Sequence, residues 1–254
     1  MNTESLQSSL CEIAREAGGA ILRIYATDFD VRSKADRSPV TDADVTAEGI
    51  ILTALALLTP DIPIVSEEAA SESGPPPVGQ SFWLVDPLDG TCEFVRRNGE
   101  FTVNIALIDR GRSVLGLIYA PVLDRMFVGS AGAGAFLVRD GQRSPIACRR
   151  PPAGGLTVIT SRWHSDPAPW IPLLQGRAVA SHTTMGSSLK FGLLAAGEAD
   201  IYPRCGRTWE WDTAAGHAIV AAAGGLVTDT AGVELAYGKP EFLNPSFVAT
   251  GLAG

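Results

Sequence analysis

Histidine and cysteine are scarce in this 254-residue chain, with three of the first and four of the second. Cys11, Cys92, Cys148 and Cys205 are widely scattered and include no Cys-x-x-Cys pair. They form neither a zinc motif nor a disulfide framework, and a reducing cytoplasm is the expected setting. His164, His182 and His217 lack the His-Glu-x-x-His spacing of a metalloprotease. A Gly-x-Ser-x-Gly elbow is absent, as are Gly-x-Gly-x-x-Gly and Walker A loops. Gly132-Ala133-Gly134 stands alone between expected strands, which argues against nucleotide binding through those loops. No apolar run reaches the ~18 residues needed to span a bilayer. Met1-Asn2-Thr3-Glu4-Ser5 lacks the basic start and apolar block of a signal peptide. Positive charge is also in deficit, 20 Lys and Arg against 28 Asp and Glu, for a net charge of −8. Nucleic-acid polymers, held by cations that neutralise phosphates, are therefore not expected partners. A small phosphorylated molecule remains open, because an acidic protein can hold one through interposed metal ions.

What is present suffices for a sizeable core: 46% hydrophobic and 19% charged residues. Leu6, Leu10, Ile13, Ala17, Ile21 and Ile24 recur at helical spacing over residues 5–25. Thr41-Asp42-Ala43-Asp44 fits a capping box, and a second helix follows until Thr59-Pro60. Residues 62–65 and 82–85 read as strands, the second stopping at Asp86-Pro87, with an exposed Gly74-Pro75-Pro76-Pro77 loop between them. Residues 101–109, 113–120, 125–130 and 135–139, separated by turn signals, predict an antiparallel meander. The segment 149–155, rich in Arg, Pro and Gly, is the best boundary between an N-terminal α+β half, 1–150, and a C-terminal half, 151–254. The second half alternates: strands at 156–160 and 177–181, a helix at 187–196, a strand at 199–203, a helix at 213–223 and a strand at 226–229. That alternation predicts an α/β layer.

The chemistry concentrates in Trp83-Leu84-Val85-Asp86-Pro87-Leu88-Asp89-Gly90-Thr91. Two carboxylates three residues apart at a strand end suit a divalent cation such as Mg2+. Gly90 lets the backbone approach a ligand closely, and N–H groups beyond it suit a phosphate. Asp-Pro and Asp-Gly are also ordinary turn residues, so the pattern alone leaves both readings open. The other candidate carboxylates, Asp44, Glu67, Glu68 and Asp212, carry the same ambiguity. Asp44 and Asp212 fit helix caps, and Glu67-Glu68 fits a solvated loop.

Taken together the segments resemble one family. Asp86-Pro87-Leu88-Asp89-Gly90-Thr91 is similar to the Asp-Pro-(Ile/Leu)-Asp-Gly-Thr signature of the inositol monophosphatase-like, Mg2+-dependent, lithium-sensitive phosphatases. Trp211-Asp212-Thr213-Ala214-Ala215-Gly216 resembles their second signature. Val65-Ser66-Glu67-Glu68 and Ser38-Pro39-Val40-Thr41-Asp42-Ala43-Asp44 resemble their two earlier acidic elements. The run 97–108, with Gly186-Ser187-Ser188-Leu189-Lys190-Phe191, Asp212–His217 and Glu241-Phe242-Leu243-Asn244-Pro245, is similar to the bacterial CysQ-type 3'(2'),5'-bisphosphate nucleotidases.

The resemblance implies an α+β fold, the layered αβαβα sandwich of the inositol monophosphatase and fructose-1,6-bisphosphatase type. It implies hydrolysis of the 3'-phosphate of adenosine 3',5'-bisphosphate to AMP, tied to sulfur assimilation and nucleotide recycling. Glu67, Asp86 and the Leu88 carbonyl would hold one Mg2+; Asp86, Asp89 and Asp212 a second; a third, weaker ion would lie near Glu67. Gly90 and Thr91 would bind the phosphate, and Asp44, Thr91 and Glu67 would serve catalysis. Glu67, Leu88, Asp89 and Asp212 would also border the substrate, with Ser187, Ser188 and Lys190 on its nucleotide side. Lys190 would meet the second phosphate as a point charge, the alternative being a solvated helix residue. Members are monomers or homodimers, expected in the cytoplasm with peripheral association to the inner face of the membrane open. Cys92 departs from the branch, which usually has Lys after Asp-Gly-Thr. Two alternatives remain: a phosphatase for inositol or another sugar monophosphate, and a non-catalytic metal or nucleotide sensor.

Overall fold

The computed structural model describes residues 2–34, 38–162 and 170–252, and His164 lies outside them. The chain opens with helix α1 (Thr3–Tyr25), a short hairpin β1 (Arg32–Ser33) and β2 (Pro39–Val40), and helix α2 (Asp42–Leu58). Strand β3 (Ile64–Ser66) leads into helix α3 (Glu67–Ser73), and β4 (Ser81–Asp89) into helix α4 (Thr91–Val95). A meander follows: β5 (Thr102–Asp109), β6 (Arg112–Ala120), β7 (Arg125–Ser130), β8 (Gly134–Arg139) and β9 (Gln142–Ile146). Then come β10 (Leu156–Ser161), a 3₁₀ turn (Ile171–Leu174), β11 (Val179–Met185), α5 (Leu189–Ala195), β12 (Ile201–Arg204) and β13 (Thr208–Trp209). The chain closes with α6 (Glu210–Ala222), β14 (Leu226–Asp229), β15 (Leu243–Asn244) and β16 (Phe247–Thr250).

Two sheets organise the molecule. Strands β3 to β9 form one in sequence order, and β11-β10-β12-β16-β14 form the other. Helices α1 and α2 cover one face of the first sheet: Leu10, Ile13, Ala17 and Ile21 meet Ile51, Leu55, Trp83 and Ile105 in one buried cluster. Helices α5 and α6 fill the space between the sheets, where Phe127, Phe191, Ile219 and Phe247 share a second cluster. Trp170, which precedes the 3₁₀ turn, and Leu174 within it cover the outer face of the second sheet. The layers are those expected of the αβαβα sandwich.

Helix α6 can lie this close to the first sheet because the strands beneath it carry glycine. A Cβ on Gly116 would stand 2.2 Å from the Ala215 carbonyl oxygen, and one on Gly129 2.6 Å from the Ile219 Cα. The close approach is backbone on backbone, so no side chain can yield to relieve it.

Four local expectations change. Strand β4 does not stop at Asp86-Pro87 but runs to Asp89, with its pairing to β5 shifting register between Asp86 and Asp89. Pro87 has no N–H to give a ladder, and the irregularity accommodates it. The meander gains a fifth strand, β9, whose exposed pattern and Pro145 hid it; Pro is tolerated at a sheet edge. Helix α6 starts at Glu210, so Asp212 caps from the third helical position by accepting the Trp209 N–H at 2.8 Å. Glu67 and Glu68 are not in a solvated loop: they open α3, and Glu68 is buried.

Candidate active site

The carboxyl ends of five strands converge on one cavity of about 250 Å³. β3 and β4 are parallel and end in Ser66-Glu67 and Asp86–Asp89. β10, β11 and β12 run parallel in the second sheet and end in Ser161, Met185 and Arg204, all of which line the cavity. Strand ends suit a ligand because the chain leaves the ladder there and frees polar groups. The first sheet thus supplies carboxylates, and the second supplies most of the opposite wall.

Glu67, Asp86 and Asp212 each offer an oxygen, all within 4.8 Å of one another. Asp89 lines the cavity beside them. Burial is the largest cause that holds Asp86 and Asp212 well above the usual carboxylate range, with repulsion from the other members adding to it. Glu67 and Asp89 are raised as well, again by burial first. Carboxylates are this crowded at a cost unless a cation shares the space. Among the described residues the donor set is hard anionic oxygens with no nitrogen or sulfur ligand, and it fits Mg2+.

Among the described residues, Lys34 pairs directly with the cluster. Lys34 donates from Nζ to Glu67 at 2.7 Å and to Glu68 at 2.5 Å, with its side chain 9% exposed. Burial opposes its charge, yet Glu67 and Glu68 together push its pKa up. Burial also raises Glu68, to about 7, against the pull of Lys34. Nothing in the sequence pattern separated Lys34 from the polar stretch around it; only the hairpin β1-β2 brings it here.

Asp44 is wholly buried, and both of its oxygens are used. Oδ2 accepts the Thr41 N–H and hydroxyl, each at 2.8 Å, completing the expected capping box. Oδ1 accepts the Thr91 hydroxyl at 3.0 Å. Asp44 is therefore a cap and a partner of Thr91 at once, and burial raises its pKa. Gly90 precedes α4 with φ +90°, where a side chain would be strained and its Cβ would stand 3.3 Å from the Glu100 carbonyl.

The opposite wall is cationic. Lys190 is 3% exposed, not solvated, and donates to the Met185 carbonyl at 3.2 Å and to that of Ser187. Its ammonium sits 5.1 Å over the Tyr202 ring, and burial lowers its pKa to about 8. Arg204 and Arg162 also line the cavity. Arg204 donates to Ser161 at 2.7 Å, and Arg162 pairs bidentately with Glu100. Sequence reasoning missed both arginines, although each stands at or just after a strand's carboxyl end. Ser187 lines the cavity with φ +50°, whereas Ser188 is 3% exposed with its hydroxyl on Asn104 and Thr102. Cys92 is exposed at the rim, so its thiol does not serve as core packing. Burial and Glu93 raise its pKa, which keeps it a neutral thiol near neutrality.

The inositol monophosphatase family matches residues 2–253. A protein of Escherichia coli O157:H7 named 3'(2'),5'-bisphosphate nucleotidase CysQ is 50% identical over 94% of this chain and 96% of its own length. One of that name from Aggregatibacter actinomycetemcomitans is 36% identical over 97% and 93%. Among solved structures, CysQ from Bacteroides thetaiotaomicron superposes with a TM-score of 0.80 at 35% identity, over 98% of each chain. An IMPase from Thermotoga maritima also gives a TM-score of 0.80, at 26% identity over 98% and 92%.

Proposed function

This chain belongs to the inositol monophosphatase family, and from that premise we propose that it removes the 3'-phosphate of adenosine 3',5'-bisphosphate, giving AMP and phosphate. The carrying observation is the pairing of two walls in one cavity. The carboxylates Glu67, Asp86, Asp89 and Asp212 face a site that also presents Lys190, Arg204 and Arg162. A sugar monophosphate has one anionic end and needs only the first wall. A nucleotide with two phosphates brings a second anion for the cations of the other.

Glu67, Asp86, Asp89, Asp212 and the Leu88 carbonyl would hold two Mg2+, with a third near Glu67. Bound there, the metal supplies charge neutralisation at the phosphoryl and leaving oxygens. The chain's own part is proton handling and placement. The Thr91 hydroxyl donates to Asp44 Oδ1, so its oxygen can accept a hydrogen bond from an attacking water; as Thr91 takes the water's proton its own passes to the Asp44 carboxylate. Thr41 locks the other Asp44 oxygen, which keeps the carboxylate turned to Thr91. Gly90 and Thr91 approach the phosphate by their backbone, and Lys190 fixes the far end of the nucleotide. Displacement in line by water then needs no covalent intermediate on the protein.

A panel assayed at saturating Mg2+ tests this. Phosphate release should be faster from adenosine 3',5'-bisphosphate than from inositol 1-phosphate by at least about 100-fold in kcat/KM, or ~2.7 kcal/mol of discrimination. Preference for the inositol ester would overturn the substrate. Nucleotide binding without turnover would make the protein a sensor.

A further inference from the structure

Asp89 is held by a directed chain of hydrogen bonds that crosses between the two sheets. Its Oδ2 accepts from the Ser188 N–H at 2.5 Å and from Asn104 Nδ2 at 3.3 Å. The Ser188 hydroxyl donates to Asn104 Oδ1 at 2.6 Å. Having given its proton there, Ser188 Oγ accepts from the Thr102 hydroxyl, 2.8 Å away. Proton donation therefore runs one way, from Thr102 through Ser188 and Asn104 to Asp89. The three partners are 0%, 3% and 1% exposed in that order, so water does not compete with these bonds.

The placement is built into the fold. Thr102 and Asn104 lie two apart on β5, on one face, directly opposite Asp89 and Asp86 of β4. Ser188 arrives from the other half, in the turn between Ser187 and Lys190 that borders the nucleotide wall. Glu100 pins the same turn by accepting the Gly186 N–H at 2.8 Å.

We propose that Thr102, Asn104 and Ser188 are positioning residues of the cation site. They saturate Asp89 Oδ2 and leave Oδ1 as the oxygen offered to a metal. Because Ser188 immediately precedes α5, which carries Lys190, they also tie metal affinity to substrate binding. The inference deepens the function proposed above and rests on its metal reading. Outer partners of metal ligands are typically worth about 10–100-fold in metal affinity.

The test is a Mn2+ titration of the full chain, without substrate, followed by electron paramagnetic resonance of the free ion. Ser188→Ala and Asn104→Leu should each weaken Mn2+ binding by roughly tenfold or more. Thr102→Val, three hydrogen bonds from Asp89 along this chain, should weaken it several-fold, and Thr102→Ser should restore it. Thermal unfolding in EDTA shows whether each variant is folded. Affinities within twofold of wild type in folded Ser188→Ala and Asn104→Leu would overturn the proposal. Should those two fail to fold, the nearly isosteric Val and Ser variants at 102 decide it, and equal Mn2+ affinity in that pair refutes it. A wild type that binds no Mn2+ would sink the metal reading itself, a separate failure.

Discussion

Replacing Asp86 with Asn should help the metal-free fold and end the activity, and the two effects have one cause. Asp86 is 1% exposed, with oxygens of Glu67 and Asp212 within 4.8 Å. Two full charges at that separation repel by about 3.5 kcal/mol at an effective dielectric constant of ~20. Burial first, and this repulsion after it, hold the Asp86 carboxyl well above the usual range, so the metal-free protein relieves part of the cost by holding protons. The net gain from removing the charge is then about 1–2 kcal/mol, or roughly 2–8 °C in Tm for a chain of this size. The local bond survives, since an Asn Oδ1 still accepts the Leu88 N–H that Asp86 accepts at 3.1 Å. With Mg2+ the order reverses. A cation that binds only the folded state raises the wild-type Tm, whereas an amide is a poorer ligand and the variant gains little. The assay is thermal unfolding in EDTA and in saturating Mg2+, with phosphate release measured alongside. A variant less stable than wild type in EDTA, or natively folded with activity within about tenfold of it, ~1.4 kcal/mol, would refute the assignment.

The same crowding gives the metal-free wild type a pH dependence of definite sign. Glu68 rises from 4.5 to about 7 on folding, so between those values the folded chain holds a proton that the unfolded chain has released. That stabilisation is complete at low pH and is lost as pH rises through the folded value, so Tm in EDTA should fall between about pH 5 and pH 8. A Tm that climbs over that range would contradict it. Lys190, held down to about 8, is charged below that pH and neutral above it. KM for the bisphosphate should therefore rise above pH ~8, while Lys190→Met starts high and shows no such step; a flat wild-type profile refutes the role. Cys92→Lys adds a cation at the exposed rim, and should lower KM more at ~0.1 M salt than at ~1 M, where the Debye length shrinks to ~3 Å. An effect indifferent to salt would rule out electrostatics at that position. Gly116→Ala places a methyl 2.2 Å from the Ala215 carbonyl oxygen and should cost about 3 kcal/mol or more in a denaturant titration. A loss under about 1 kcal/mol would mean that α6 does not rest on β6 so tightly.

The residues that can be read without a structure are those whose local pattern already states their job. Thr41 and Asp44 sit at capping-box spacing, and the α1 apolar positions recur at helical period, so both helices were legible. Asp86, Asp89 and Asp212 stand in short runs that local pattern leaves open between turn or cap and cation ligand, and it is their resemblance to the family's signatures that pointed to a hard cation. That much follows because helix period, caps and turn residues act over three or four positions along the chain. What the tertiary structure decided involves groups far apart in sequence. Lys34 meets Glu67 and Glu68 only because the β1-β2 hairpin packs there, and Ser188 meets Asp89 across 99 positions. For Lys190 the sequence left a solvated helix residue as the alternative to a phosphate contact, and only the burial of α5 between two sheets, which lowers its pKa to about 8, removes that alternative. Arg162 and Arg204 acquire meaning only once β10 and β12 run parallel and end at the same cavity as β3 and β4. Burial and through-space charge set what these side chains do, and neither is a property of neighbours along the chain.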